Sequence, residues 1–129
     1  MNYERAAPYV YPLFRIVFGV LYLCHGLQKF GLLHGHLVPM FTRLGGAAVI
    51  ELACGSLIAI GLFTRPAAFI AAGEMAVAYW MVHAKMGFYP AVNMGEAAIL
   101  FCFVFLYLAA AGPGALSIDS ARLRKEPIR

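Results

Sequence analysis

Four apolar stretches, each close to the length of a bilayer crossing, dominate the sequence: residues 12–30, 44–63, 66–84 and 94–111. A helix needs about 20 predominantly apolar residues to cross roughly 30 Å of hydrocarbon. No water reaches backbone N–H and C=O groups there, so the chain must pair them internally, as an α-helix does. The breaks carry suitable punctuation: Thr64-Arg65-Pro66, with proline tolerated in a first helical turn, a stretch containing Pro90, and Gly112-Pro113-Gly114. The expected fold is therefore all-α: an integral membrane four-helix bundle, one transmembrane domain over residues 1–129, with a polar C-terminal tail at 117–129. Composition agrees. The 129 residues are 63% hydrophobic and 12% charged, whereas soluble domains run near half apolar and a quarter charged.

The first stretch ends in His25, Gln28 and Lys29 and lacks a small-x-small cleavage pattern, so it is expected to stay in the mature protein. The formal charge of +4 comes from residues that are scattered or sit at segment ends. That pattern excludes a nucleic-acid footprint and fits charges flanking a lipid bilayer. Arg5, Arg65, Arg122, Arg124, Lys125 and Arg129 fall on one side, against Lys29, Arg43 and Lys85 on the other. The positive-inside rule then predicts a multi-pass protein of the plasma (inner) membrane with both termini cytoplasmic. Residues 31–43 and the loop around Tyr89 would face outward, with Tyr79 and Trp80 near that boundary.

Cys24, Cys54 and Cys102 lie in different apolar stretches, and no C-x-x-C pair exists. They read as small buried hydrophobes. His34-x-His36 lacks the accompanying cysteine or carboxylate of a metal site, so no metal is assigned. Haem is disfavoured as well, since His25 and His83 form the sole plausible ligand pair.

The acidic residues carry more information. Glu51, Glu74 and Glu96 fall within the apolar stretches, while Glu4, Asp119 and Glu126 lie outside. A charge at mid-bilayer costs about 2.5–3.5 kcal/mol on insertion scales, so such groups face the bundle and find partners. Arg15, Phe18, Tyr22, His25 and Lys29 recur every three or four residues and so share one helical face. Gly19 and Gly26 lie beside that stripe and permit close helix approach. By depth, Arg15 can reach Glu74, giving an expected structural ion pair. His25, Lys29, Glu51, His83 and Glu96 share the outer half of the bundle. There Glu51, His25 and His83 are the candidate catalytic groups, and Lys29, Tyr22 and Glu96 the candidate ligand-binding groups. Two alternatives stay open. Glu96 follows Asn93 by three and could form a capping box instead, and Lys29 could snorkel to the surface.

The ordered set Arg15 with Gly19, His25-Gly26-x-x-Lys29, Glu51 with Gly55, Gly61-Leu62-Phe63-Thr64-Arg65, Gly95-Glu96-Ala97 and the closing residues from Gly112 to Asp119 resembles the DoxX family of small bacterial and archaeal membrane proteins. The resemblance implies a four-helix membrane bundle. It also implies kinship with membrane subunits of thiosulfate:quinone oxidoreductases and with proteins associated with sulfur and oxidative-stress enzymes.

Two readings of function follow. In the first, the chain is an oxidoreductase subunit whose outer cluster binds a quinone or small sulfur compound, with electrons supplied by a soluble or membrane redox partner. In the second, it is a noncatalytic anchor or assembly factor for a soluble redox enzyme. A transporter would require a homo-oligomer, because four short helices enclose little volume.

Overall fold

The computed structural model describes residues 3–125. Glu126, Arg129 and the end of the expected tail lie outside the described residues. The chain forms α1 (Tyr3–Lys29), α2 (Arg43–Ile60), α3 (Thr64–Ala78), α4 (Glu96–Ala111) and the short α5 (Ile118–Leu123). A π-helical turn at Tyr79–His83 and a 3-10 turn at Ala84–Met86 prolong α3. Three helical stretches, Glu4–Lys29, Arg43–Ile60 and Thr64–Met86, are long and apolar enough to cross a membrane, and Glu96–Ala111 is a shorter apolar helix. The protein is a membrane helical bundle.

Helix limits differ from the sequence expectation in two places, for physical reasons. α1 begins before residue 12 because Pro8 and Pro12 lie inside it rather than ahead of it. Each removes one backbone donor, and the helix continues regardless. α4 starts at Glu96 because Met94 adopts a left-handed backbone (φ 60°) that no α-helix accommodates.

Two kinds of interface hold the helices. α1 packs chiefly on α2 and α3 chiefly on α4. Between α1 and α2 the backbones nearly touch. A Cβ added to Gly19 would lie 2.7 Å from the backbone nitrogen of Ala59, and one on Gly55 would lie 2.7 Å from that of Leu23. Without a hydrophobic drive between helices in lipid, such close van der Waals contact supplies much of the association. α1 and α4 instead stand apart and meet through rings, with Phe18 5.8 Å from Phe101 and Tyr22 4.8 Å from Phe105 between centroids.

One end of the bundle gathers the N-terminal half of α1, the α2–α3 turn and the segment after α4. Gly61 closes α2 in the left-handed region (φ 71°), as a residue without Cβ does readily. Phe63 precedes α3 at φ 48° and offers its helix no side-chain cap. Asp119 supplies that cap from α5, accepting hydrogen bonds from the Phe63 and Thr64 N–H groups at 2.9 and 3.0 Å. Burial pushes the Asp119 carboxyl up, but these two N–H groups and nearby Arg122 outweigh it and hold it below its usual range. At the opposite pole of a helix dipole, Arg65 donates to the α4 carbonyls of Ala109, at 2.9 Å, and Ala110.

Candidate functional site

The α1 stripe faces inward for most of its length. Arg15 and Tyr22 are fully buried, and Phe18 and Lys29 are half-buried. Two turns beyond Tyr22, Lys29 reaches across to α2 and places Nζ 2.7 Å from both carboxylate oxygens of Glu51. Glu51 is only 2% exposed, whereas the Lys29 side chain keeps 24% of its surface. The ammonium thus neutralises a carboxylate that hydrocarbon would not tolerate alone. Of the two roles open to Lys29, the structure shows the inward one.

A second buried contact lies beside the first. The Tyr22 hydroxyl donates to Glu74 Oε2 at 2.9 Å. Glu51 and Glu74 are near enough to interact electrostatically, as are Glu74 with Lys29 and Glu51 with His25. Cys54, buried on α2, lies within the same range of Tyr22 and Glu74. Three helices therefore contribute to one polar cluster in an otherwise apolar core.

Several expected placements are corrected. Arg15 and Glu74 form no ion pair among the described residues. Arg15 turns to the segment after α4 and donates to the carbonyls of Pro113, Ala115 and Leu116, the last at 2.9 Å. Glu74 lies about 15 Å along α3 from Thr64 at 1.5 Å per residue, level with Tyr22 and not with the loop that Arg15 meets. His83 does not join the Lys29–Glu51 pair. Its Nδ1 lies 3.0 Å from the Asn93 carbonyl oxygen, and its ring stacks on Tyr79 at 6.4 Å. The π-helical turn that contains both residues adds a residue to that turn and shifts the face His83 presents. Glu96 is exposed and makes no capping box, since Gly95 is the N-cap.

His25 departs from the stripe in another way. It is exposed at the bundle margin, edge-on to the Phe101 ring at 5.7 Å. It marks the border between the cluster and the α1–α4 ring seam.

Sequence reasoning weighed Asn93 only as a capping partner for Glu96 and missed its burial, at 1% exposed. Its amide donates to the Gly87 carbonyl at 2.9 Å and accepts from Gly95 N–H at 2.8 Å, closing the loop that holds His83. Its signal was an asparagine in a Pro/Gly-containing turn just before an apolar run. Phe101 and Phe105 carried no signal beyond apolarity.

Chemically, the arrangement offers a fixed carboxylate–ammonium pair, a second carboxyl bonded to a phenol, and an imidazole at the edge. All five are groups that can hold or pass a proton.

The DoxX family model matches residues 11–84. The chain belongs to the DoxX family. The matched segment contains Tyr22, Lys29, Glu51 and Glu74, so both buried pairs of this DoxX protein lie within it, while the ring seam of α4 lies beyond. A Haemophilus influenzae protein described as uncharacterized is 38% identical over 132 residues, spanning 96% of this chain and 98% of that one. The similarity to it therefore extends through α4 and the segment that binds Arg15. No solved structure matches this DoxX protein.

Proposed function

We propose that this DoxX protein is a plasma-membrane subunit of a quinone-linked redox or sulfur-metabolism system, with its small-molecule site at the Lys29–Glu51 pair. The observation that carries the reading is the enclosure of Glu51, 2% exposed and held by both oxygens, beside a lysine and a histidine that keep access to the surroundings. The donor set suits a ring carbonyl: His25 and Lys29 can each donate a hydrogen bond, and the Phe101 ring stands beside His25. A bound quinone would supply two-electron chemistry accompanied by protons. Lys29 would orient the carbonyl, His25 would hold a proton at the entry, and Glu51 would keep the ammonium in place.

The test is purification in mild detergent followed by lipid-extract mass spectrometry and absorption spectra. Bound quinone, reduced in amount by Glu51→Gln while the protein stays folded, supports the reading. A soluble enzyme that co-purifies equally well with Glu51→Gln, with no quinone present, would replace it with the anchor reading.

A further inference from the structure

Removing Arg15 as its partner leaves Glu74 in an unusual position. It sits near the middle of the stretch Thr64–Met86, about 15 Å from Thr64 at 1.5 Å per residue, which is half the depth of a hydrocarbon core of roughly 30 Å. Its one hydrogen bond among the described residues comes from a neutral phenol, Tyr22, through Oε2. No lysine, arginine or histidine lies within salt-bridge distance of it among the described residues. The contrast with Glu51, which shares its depth and holds an ammonium by both oxygens, is direct.

Glu74 also stands on a border. Its helical neighbours Ile70, Gly73 and Val77 are exposed, and Ala71 and Met75 are buried. Glu74 itself is half-buried. A side chain at Gly73 would meet nothing within 4 Å, so the α3 surface next to Glu74 in sequence is uncovered. At this depth the exposed face of a bundle meets lipid chains, not bulk water. A carboxyl that touches hydrocarbon and has only a hydroxyl for company is stable as the neutral acid, because ionising it would leave a desolvated charge unpaired.

We propose that Glu74, positioned by Tyr22, is a second site: a protonated carboxyl reached from the lipid phase, which hydrogen-bonds an oxygen of a lipid-soluble ligand such as a quinol. The four groups around it divide the work. Tyr22 from α1 fixes Oε2 and leaves Oε1 free for the incoming oxygen. Glu51 from α2 stands nearby, and Lys29 beyond it is already committed to Glu51. Cys54 supplies a small, weakly polar wall. The ligand class rests on the redox reading above, but the accessible acid does not.

The experiment uses the full chain in liposomes, treated with a lipid-soluble carbodiimide, which modifies protonated carboxyls, and mapped by peptide mass spectrometry. The expected result is modification at Glu74 and not at Glu51, with a water-soluble carbodiimide leaving Glu74 unmodified. A short-chain quinol should slow the modification several-fold, and Tyr22→Phe, if folded, should retain the modification but weaken that protection. An unmodified Glu74, or equal modification by the water-soluble reagent, overturns the site. Modification that the quinol does not slow overturns the ligand class. Quinone still bound to a protein whose Glu74 stays unmodified would refute this inference and leave the Lys29–Glu51 reading standing.

Discussion

Lys29 binds Glu51 across the α1–α2 interface with Nζ 2.7 Å from each carboxylate oxygen, the closest ionic contact among the described residues. Removing one member of a buried pair leaves the other charge without compensation, at a cost of about 3–5 kcal/mol. Lys29→Met should therefore lower the detergent melting temperature sharply. Lys29→Met with Glu51→Gln should recover most of the loss. A double variant no more stable than Lys29→Met would show that the pair contributes through something other than charge compensation.

The α1–α2 contact gives a prediction about shape alone. Gly55→Val places methyl groups where the Leu23 backbone already stands, 2.7 Å from the Cβ position. Overpacking of this kind costs about 1–3 kcal/mol, and more when backbone has to move. Gly46→Ala, on the same helix, meets nothing within 4 Å and should be neutral or slightly stabilising. Equal melting temperatures for the two variants would contradict the close approach.

Arg15 and Glu74 should behave independently. Their partners are the 113–116 carbonyls and the Tyr22 hydroxyl, respectively. The destabilisations of Arg15→Leu and Glu74→Leu should then add to within about 0.5 kcal/mol. A double variant more stable than either single one would restore the ion pair between them.

Asp119 sets a pH dependence. Its folded carboxyl titrates below its usual value, so the folded chain binds fewer protons there than the unfolded one. The resulting stability is present above the ordinary Asp value of about 3.9 and is lost as pH falls through the lower folded value. Melting curves from pH 6 downward should show this acid limb. Asp119→Asn should be less stable at pH 6 and should flatten it. An unchanged limb would assign the effect to other carboxyls.

Topology is tested by reporter fusions at the C-terminus and at Pro90. The bias of Arg5, Arg65, Arg122, Arg124 and Lys125 toward one end predicts opposite compartments, with the C-terminus cytoplasmic. A periplasmic C-terminal reporter would reverse the orientation.

What could be read in advance follows from where the information resides. The inward face of α1 is written in its three–four spacing, and the burial of Glu51 in the cost of leaving a carboxylate in lipid. The partner of Arg15 could not be read, because its acceptors are backbone carbonyls, which every residue has. Asp119 capping α3 was hidden for a related reason: the cap comes from 55 and 56 residues away. His83 was misplaced because it was grouped by depth alone, and depth does not say which way a side chain on a π-helical turn points.

The embrace of Arg15 by the segment after α4 also has a temporal side. The guanidinium waits for acceptors that lie 98 to 101 residues downstream. During synthesis the first helix therefore enters the membrane long before its arginine can be satisfied. Until the final turns emerge, that arginine must be tended by water, headgroups or the insertion machinery. Completion of the bundle is thus tied to the emergence of residues 113–116, and a product stalled before them carries an unquenched cation.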